Sequence, residues 1–284
     1  MVEDHTAEPP GPSLDDDSEA LARDYERISV GRQFQSGKRL VQALGVRAGE
    51  RVIDVGCGTG LLAEHIAGIV GPAGHVLGID PLPLRIEIAR ARARANLAFE
   101  VGNANDLSAI ASASFDVACL NAVLHWLPEK AGPLRELARV LRPGGRIGIA
   151  GGAKEQRSPL RGILGRVLAE PPFDAWPRPR AELSSRVDQH ELRTLLEGAG
   201  FAVKSIDLYD SPYVHASPEA VVRYSEASSF GNLLAHLPRE LRPAAREALA
   251  RELAPLAAPD GSIAQDGRRM IAIGVKVGAA AARR

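Results

Sequence analysis

The run Val52-Ile53-Asp54-Val55-Gly56-Cys57-Gly58-Thr59-Gly60 constrains this chain more than any other stretch, because an acidic residue in an apolar strand is followed at once by three alternating glycines. Val52, Ile53 and Val55 read as a buried parallel strand, and Leu61, Leu62, Ile66 and Ile69 recur at helical spacing directly afterwards. The glycines therefore fall in a strand-to-helix turn. There they permit a tight turn, leave no Cβ where a ligand approaches the backbone, and let the helix pack closely on the strand. Such a turn serves a nucleoside-bearing cofactor.

Taken alone, the loop is ambiguous. Read from Gly56, the six-residue dinucleotide fingerprint fails because Leu61 takes the last glycine position, yet Gly58-Thr59-Gly60-Leu61-Leu62-Ala63 fits its alanine variant. Asp54 tilts the choice. A carboxylate there suits a cationic ligand group and repels a pyrophosphate. A second strand, His75-Val76-Leu77-Gly78-Ile79-Asp80, also ends in an acid, at the spacing where a ribose-binding carboxylate is expected. Asp80, followed by Pro81, is the candidate for the ribose diol.

Asp54 to Gly60 resembles motif I of the class I S-adenosylmethionine-dependent methyltransferases. Phe99-Glu100-Val101-Gly102-Asn103-Ala104 resembles the third-strand motif that contacts adenine in that family, with Asn103 where aspartate is usual and Ala104 offering its backbone N–H. The run 114–128, with Asn121 and His125-Trp126, resembles the fourth strand and following loop of the methyltransferase type-11 (ubiquinone/menaquinone-biosynthesis-methyltransferase-like) family. The run 137–149 resembles that family's next helix, its Pro-Gly-Gly turn and its fifth strand.

The resemblance implies an α/β fold: a Rossmann-like, doubly wound seven-stranded sheet with an antiparallel last strand. It implies S-adenosylmethionine as cofactor, S-adenosylhomocysteine as product, and no metal. The cofactor site it implies comprises Asp54, Gly56, Cys57, Gly58, Gly60, Asp80, Pro81, Asn103, Ala104 and Asn121. Many members lay an N-terminal segment over the cofactor; here Tyr25, Arg32, Gln33 and Ser36 would reach its amino-acid tail, with Arg32 the partner for the carboxylate.

Along the chain, residues 1–17 are acidic and Pro-rich and read as a disordered leader, and residues 18–50 as an N-terminal helical cap. Residues 51–284 form the cofactor-binding domain, with strand and helix units alternating through residue 150. Residues 151–186 break the pattern with five prolines and one helix near 160–168. Glu170-Pro171-Pro172-Phe173 reads as a proline-stiffened loop, since it begins with the wrong residue and lies in the wrong place for the Pro-Pro-aromatic motif of nucleic-acid amino-methyltransferases. After helix 189–199 come strands 201–209 and 269–277, with a helical lid insert at about 212–266 between them.

Lysine plus arginine (35) equals aspartate plus glutamate (35), so the chain lacks the basic footprint of a nucleic-acid-binding protein. No apolar run is long enough to span a bilayer, and the N-terminal residues lack an apolar core. The expectation is a cytoplasmic monomer or homodimer acting on a small-molecule acceptor. Cys57 and Cys119, the only cysteines, are read as core residues, too few to assemble an arsenic-binding thiolate cluster.

The favoured chemistry is methyl transfer by direct displacement, with His125 the leading base and His215, His236, Tyr213 and Tyr224 further acceptor-pocket candidates. The alternatives are a nicotinamide-dependent oxidoreductase and a non-catalytic S-adenosylmethionine-binding protein.

Overall fold

The computed structural model describes residues 13–29, 31–154, 159–176 and 185–278. Two helices, α1 (Glu19–Ser29) and α2 (Gln33–Leu44), precede β1 (Arg51–Val55), α3 (Leu61–Val70), β2 (His75–Asp80), α4 (Pro83–Arg90) and β3 (Leu97–Val101). Then come β4 (Phe115–Asn121), α5 (Ala131–Val140), β5 (Leu141–Gly152), α6 (Pro159–Val167), α7 (Gln189–Gly198) and β6 (Phe201–Asp210). The chain continues through β7 (Tyr213–His215), α8 (Pro218–Ser228), α9 (Arg242–Leu253), β8 (Ile263–Gln265) and β9 (Arg268–Lys276).

Seven strands form one sheet in the order β3-β2-β1-β4-β5-β9-β6, with β9 antiparallel to both of its neighbours. This is the expected Rossmann-like architecture. Strand order reverses between β1 and β4, so the ligand crevice opens beyond their carboxyl ends. Side chains alternate between the faces: Val52 packs among Leu40, Leu44, Ile66 and Ile86, while Ile53 and Val55 pack among Leu134, Leu137, Leu192 and Phe201. Asp54 lies in register with Val52, toward the face that α2 and α3 cover.

Local chemistry sets the boundaries. Asp188 and Glu191 form a capping box at the start of α7, each side chain accepting the other's backbone N–H at 2.9 and 2.7 Å. Gly200, at φ +89, ends that segment as a left-handed stop. One expectation fails between β3 and β4, where the crossover carries turns instead of a helix. Asn103 and Asp106 accept the backbone N–H groups of Asn105 and Ser108, and such side-chain turns compete with helix formation.

The insert between β6 and β9 begins and ends in a two-stranded antiparallel neck, β7 with β8. Its helices enclose a third core in which Val221, Leu234, Leu237, Leu249 and Leu253 meet Leu160, Ile163, Leu164 and Phe173. The lid is thus larger than the insert alone, because α6 and the Phe173 turn, from the irregular 151–186 segment, complete its apolar interior.

Residues 1–12 of the expected leader lie outside the described residues. Residues 13–17 are ordered against the lid, contrary to the reading of 1–17 as disordered. Ser13 exchanges two backbone hydrogen bonds with the Asn232 amide, and buried Asp17 pairs with Arg85 at 3.5 Å. Acidic composition suggested solvation, but here the carboxylates meet arginines on α4 and α9.

Candidate active site

A cavity of about 920 Å³ opens where β1, β2 and β4 end, beneath the lid. Its floor is the glycine turn. Gly56, Gly58 and Gly60 all have positive φ (+70, +56 and +86), a conformation that favours glycine. Gly56 and Cys57 donate their N–H groups to the Ile79 carbonyl at 2.8 and 3.0 Å, which fastens the turn to β2.

The three glycines differ in role. A Cβ on Gly58 would lie 3.0 Å from the Tyr25 ring, and both Gly56 and Gly58 line the cavity. Gly60 does not line it; a Cβ there would meet Phe99 and Ala89, so this glycine serves helix packing. Cys57 likewise lies beside the main cavity, in a small annex with Asp54 and Thr59.

Asp54 is 1% exposed, and its Oδ2 has no hydrogen-bond partner. Burial, reinforced by nearby Asp80, raises its carboxyl from 3.8 to about 8. The unfolded chain therefore releases this proton near pH 4 and the folded chain near pH 8. Between those values the folded state holds the extra proton, so stability falls as pH rises, by about 1.4 kcal/mol per unit. Asp54→Asn is expected to gain stability over the parent as pH increases from about 5 to about 8 in urea unfolding without ligand. Parallel curves across that range would contradict this placement of the carboxyl.

Asp80 is also buried and accepts the N–H groups of Gly58 at 2.9 Å and Leu82 at 3.0 Å. Burial outweighs these bonds and Arg85, leaving its carboxyl above the ordinary range. Pro81, Asn103 and Ala104 line the same end of the cavity, although the Asn103 amide oxygen already accepts the N–H of Asn105. Asn121 donates to the Gln33 carbonyl at 2.9 Å, and its own Oδ1 is buried without a partner.

The N-terminal helices lie over this floor. Tyr25 lies beneath the Arg85 guanidinium at 4.1 Å, and Arg32 stacks on Tyr213 at 3.8 Å. Gln33 donates to the Tyr224 hydroxyl at 3.0 Å, tying α2 to α8. Ser36 does not line the cavity; its hydroxyl lies 3.1 Å from Arg269 Nε and 3.2 Å from the Tyr209 hydroxyl.

His125, Tyr213, His215 and Tyr224 line the cavity, whereas His236 is not among its lining residues. His125 sits beside Trp126, which meets Phe230 of the lid at 5.0 Å between ring centroids. Burial, then Arg186, Arg269 and Lys130, push the His125 imidazole down to about 3. It is therefore unprotonated at neutral pH and, among these cations, a weak proton acceptor.

Sequence reasoning missed Arg85, Arg186 and Arg269. Arg85 was detectable, since it interrupts the apolar helical stripe Leu82, Ile86, Ala89. Arg269 gave a weaker sign, as the second of two arginines that open a strand with an apolar middle. Arg186 gave none, because its position depends on Ser185, whose N–H donates to the His125 carbonyl and whose hydroxyl accepts from Lys130.

A family model described as a methyltransferase domain matches residues 47–200, more than half of the chain. The O-methyltransferase cnsE of Penicillium expansum is 34% identical over 186 residues, covering 61% of this chain and 60% of that protein. The demethylmenaquinone methyltransferase of Lactobacillus johnsonii is 32% identical over 169 residues, covering 58% of this chain and 67% of that protein. The match thus spans about 60 to 67% of these relatives' lengths.

Among solved structures, a putative methyltransferase in complex with the Trm112 methyltransferase activator from Haloferax volcanii shares the fold. Its TM-score is 0.58 at 21% identity, over 94% of this chain and 98% of that one. The glycine turn between two acid-bearing strands, the β3-β2-β1-β4-β5-β9-β6 sheet and the family match agree: this chain belongs to the class I S-adenosylmethionine-dependent methyltransferase-domain family.

Proposed function

We propose that the chain transfers the methyl group of S-adenosylmethionine to a small-molecule acceptor held beneath the lid. The observation that carries this reading is buried Asp54, whose unpartnered oxygen lies beside a turn of positive-φ glycines. An ammonium arriving there favours the ionised carboxylate and gains an ion pair, which a pyrophosphate cannot do.

In this reading Asp54 holds the amino group and Arg32 the carboxylate of the cofactor's amino-acid tail. Asp80 keeps acceptor capacity for the ribose hydroxyls beyond its two backbone bonds, because a carboxylate can accept about four hydrogen bonds. Asn103 and Ala104 face the adenine, and Tyr25 covers the glycine turn. When bound, the cofactor supplies an electrophilic methyl carbon whose bond to sulfur breaks as the acceptor's lone pair forms the new bond, the old electron pair leaving with sulfur.

The protein's work is alignment and exclusion of water. The lid and the Trp126–Phe230 contact close the acceptor side. His125 accepts a hydrogen bond from the acceptor, while burial and the cations around it leave it a weak base.

Purified protein incubated with methyl-labelled S-adenosylmethionine and a panel of phenols, thiols, carboxylic acids and quinone precursors should transfer label to one class. If S-adenosylhomocysteine binds but label passes to no acceptor in the panel, the chain is better read as a non-catalytic cofactor-binding protein.

A further inference from the structure

We infer that the methyl acceptor carries a carboxylate on an apolar, ring-sized body, with that carboxylate held as an anchor by Arg186 and Arg269 and the nucleophile elsewhere on the body; this rests on reading the cavity as a methyl-transfer site. The chain as a whole is formally neutral, yet among the described residues that line the cavity five are arginines and one, Asp80, is a carboxylate. Asp80 faces Arg85, itself paired with Asp17, so both lie at the cofactor end. The opposite wall collects Arg32, Arg161, Arg186 and Arg269 with no lining carboxylate among the described residues.

Two of these arginines carry the argument. Arg269 is 4% exposed and spends its Nε on Ser36, while its Nη2 is buried without a partner. Arg186 has a buried Nε without a partner, and its neighbour Ser185 anchors it beside His125. Burial and the charges of Arg161, Arg32 and Arg269 push Arg186 below its ordinary range, and burial followed by Arg32 does the same to Arg269. A fold that buries like charges with unfilled donors in a cavity gains most from a ligand that brings the opposite charge.

The rest of the wall specifies the ligand's other half. Trp126, Leu160, Leu164, Phe230 and Leu233 form a continuous apolar surface suited to a ring or branched chain. Arg186 and Arg269 act on His125 and on each other, whereas Asp80 answers to Arg85 and Asp17, so an acceptor anchored on the two arginines is separate from the ribose end. Its negative charge also offsets two of the three cations that, after burial, hold His125 unprotonated.

The test uses the full chain saturated with S-adenosylhomocysteine, whose binding is measured first by calorimetry; failure at that step overturns the cofactor reading and not the inference about the wall. Benzoate, 3-phenylpropionate and cinnamate are then titrated against their neutral primary amides. At least one acid should bind tenfold or more tightly than its amide. Arg186→Gln and Arg269→Gln, tested separately so that one folded variant suffices, should each reduce that preference about tenfold while the S-adenosylhomocysteine Kd stays within a few fold. No preference for acids in any pair, including no binding of either member, overturns the inference. So does a tenfold loss of S-adenosylhomocysteine affinity with acid preference intact, which would place the cofactor's own carboxylate on these arginines.

Discussion

Asp80→Ala is expected to raise the dissociation constant for S-adenosylhomocysteine by about a hundredfold while leaving a folded protein. Hydrogen bonds to a charged acceptor contribute about 1.5–3 kcal/mol each, and two ribose hydroxyls place the loss near this value. The residue also organises the unliganded loop, since its two oxygens accept from Gly58 and Leu82. Removing them leaves two backbone donors in need of water, at about 1–3 kcal/mol each if they stay dry. Circular dichroism must therefore confirm folding before calorimetry is read. Asp80→Asn retains an acceptor oxygen and should fall between the parent and the alanine variant. An unchanged Kd in folded Asp80→Ala would show that another group holds the ribose.

A large loss of stability is expected at Gly60, and Gly45 supplies its control. Both have positive φ, +86 and +60, so alanine at either position carries backbone strain of about 1–2 kcal/mol. Only Gly60 adds a steric conflict. Its Cβ would lie 2.7 Å from the Phe99 ring and 3.0 Å from the Ala89 Cβ, whereas a Cβ on Gly45 meets nothing within 4 Å. Overpacking of a filled core costs about 1–3 kcal/mol more. Gly60→Ala should thus lose about 2–5 kcal/mol in urea unfolding and Gly45→Ala about 1–2 kcal/mol. Equal losses would mean that Phe99 moves aside freely and that the close α3–β3 approach is unimportant.

The lid's packing also bears on how it is tested. Removing 217–251 would strip partners from Leu160, Leu164 and Phe173 and would take away the Ala227 carbonyl that Arg85 donates to at 2.9 Å. It would also expose α1, which packs on α8 and carries Tyr25 over the glycine turn. Cofactor and acceptor halves are therefore mechanically joined, and point substitutions in the wall separate them better than a deletion.

Much of this was readable from the chain because its causes are local. An apolar strand, an acid and alternating glycines specify a turn whatever surrounds it, and Asp54, Gly56, Gly58 and Asp80 all stand at the cavity or its annex. The two strands expected at 201–209 and 269–277, on either side of a long insert, likewise stand at Phe201–Asp210 and Arg268–Lys276. What could not be read depends on distant segments converging. Arg186 and Arg269 are 83 positions apart (269 − 186), and their shared cavity exists only once the lid and the β9 edge meet over His125. The Asp17–Arg85 pair is similar: an acidic N-terminal run reads as solvated until a basic helix face is known to wait for it. Local chemistry misled in one place, the β3–β4 crossover, where Asn103 and Asp106 turned the chain before a helix could start.

Calorimetric titration of the purified chain with S-adenosylhomocysteine, and separately with NADH, tests the cofactor assignment most directly. S-adenosylhomocysteine should bind, and at a hundredfold excess over Kd should add about 2.7 kcal/mol to unfolding stability, while NADH produces neither heat nor a shift in Tm. Binding of NADH with no response to S-adenosylhomocysteine would contradict the assignment of Asp54 to an ammonium and, with it, the reading of this cavity as a methyl-transfer site.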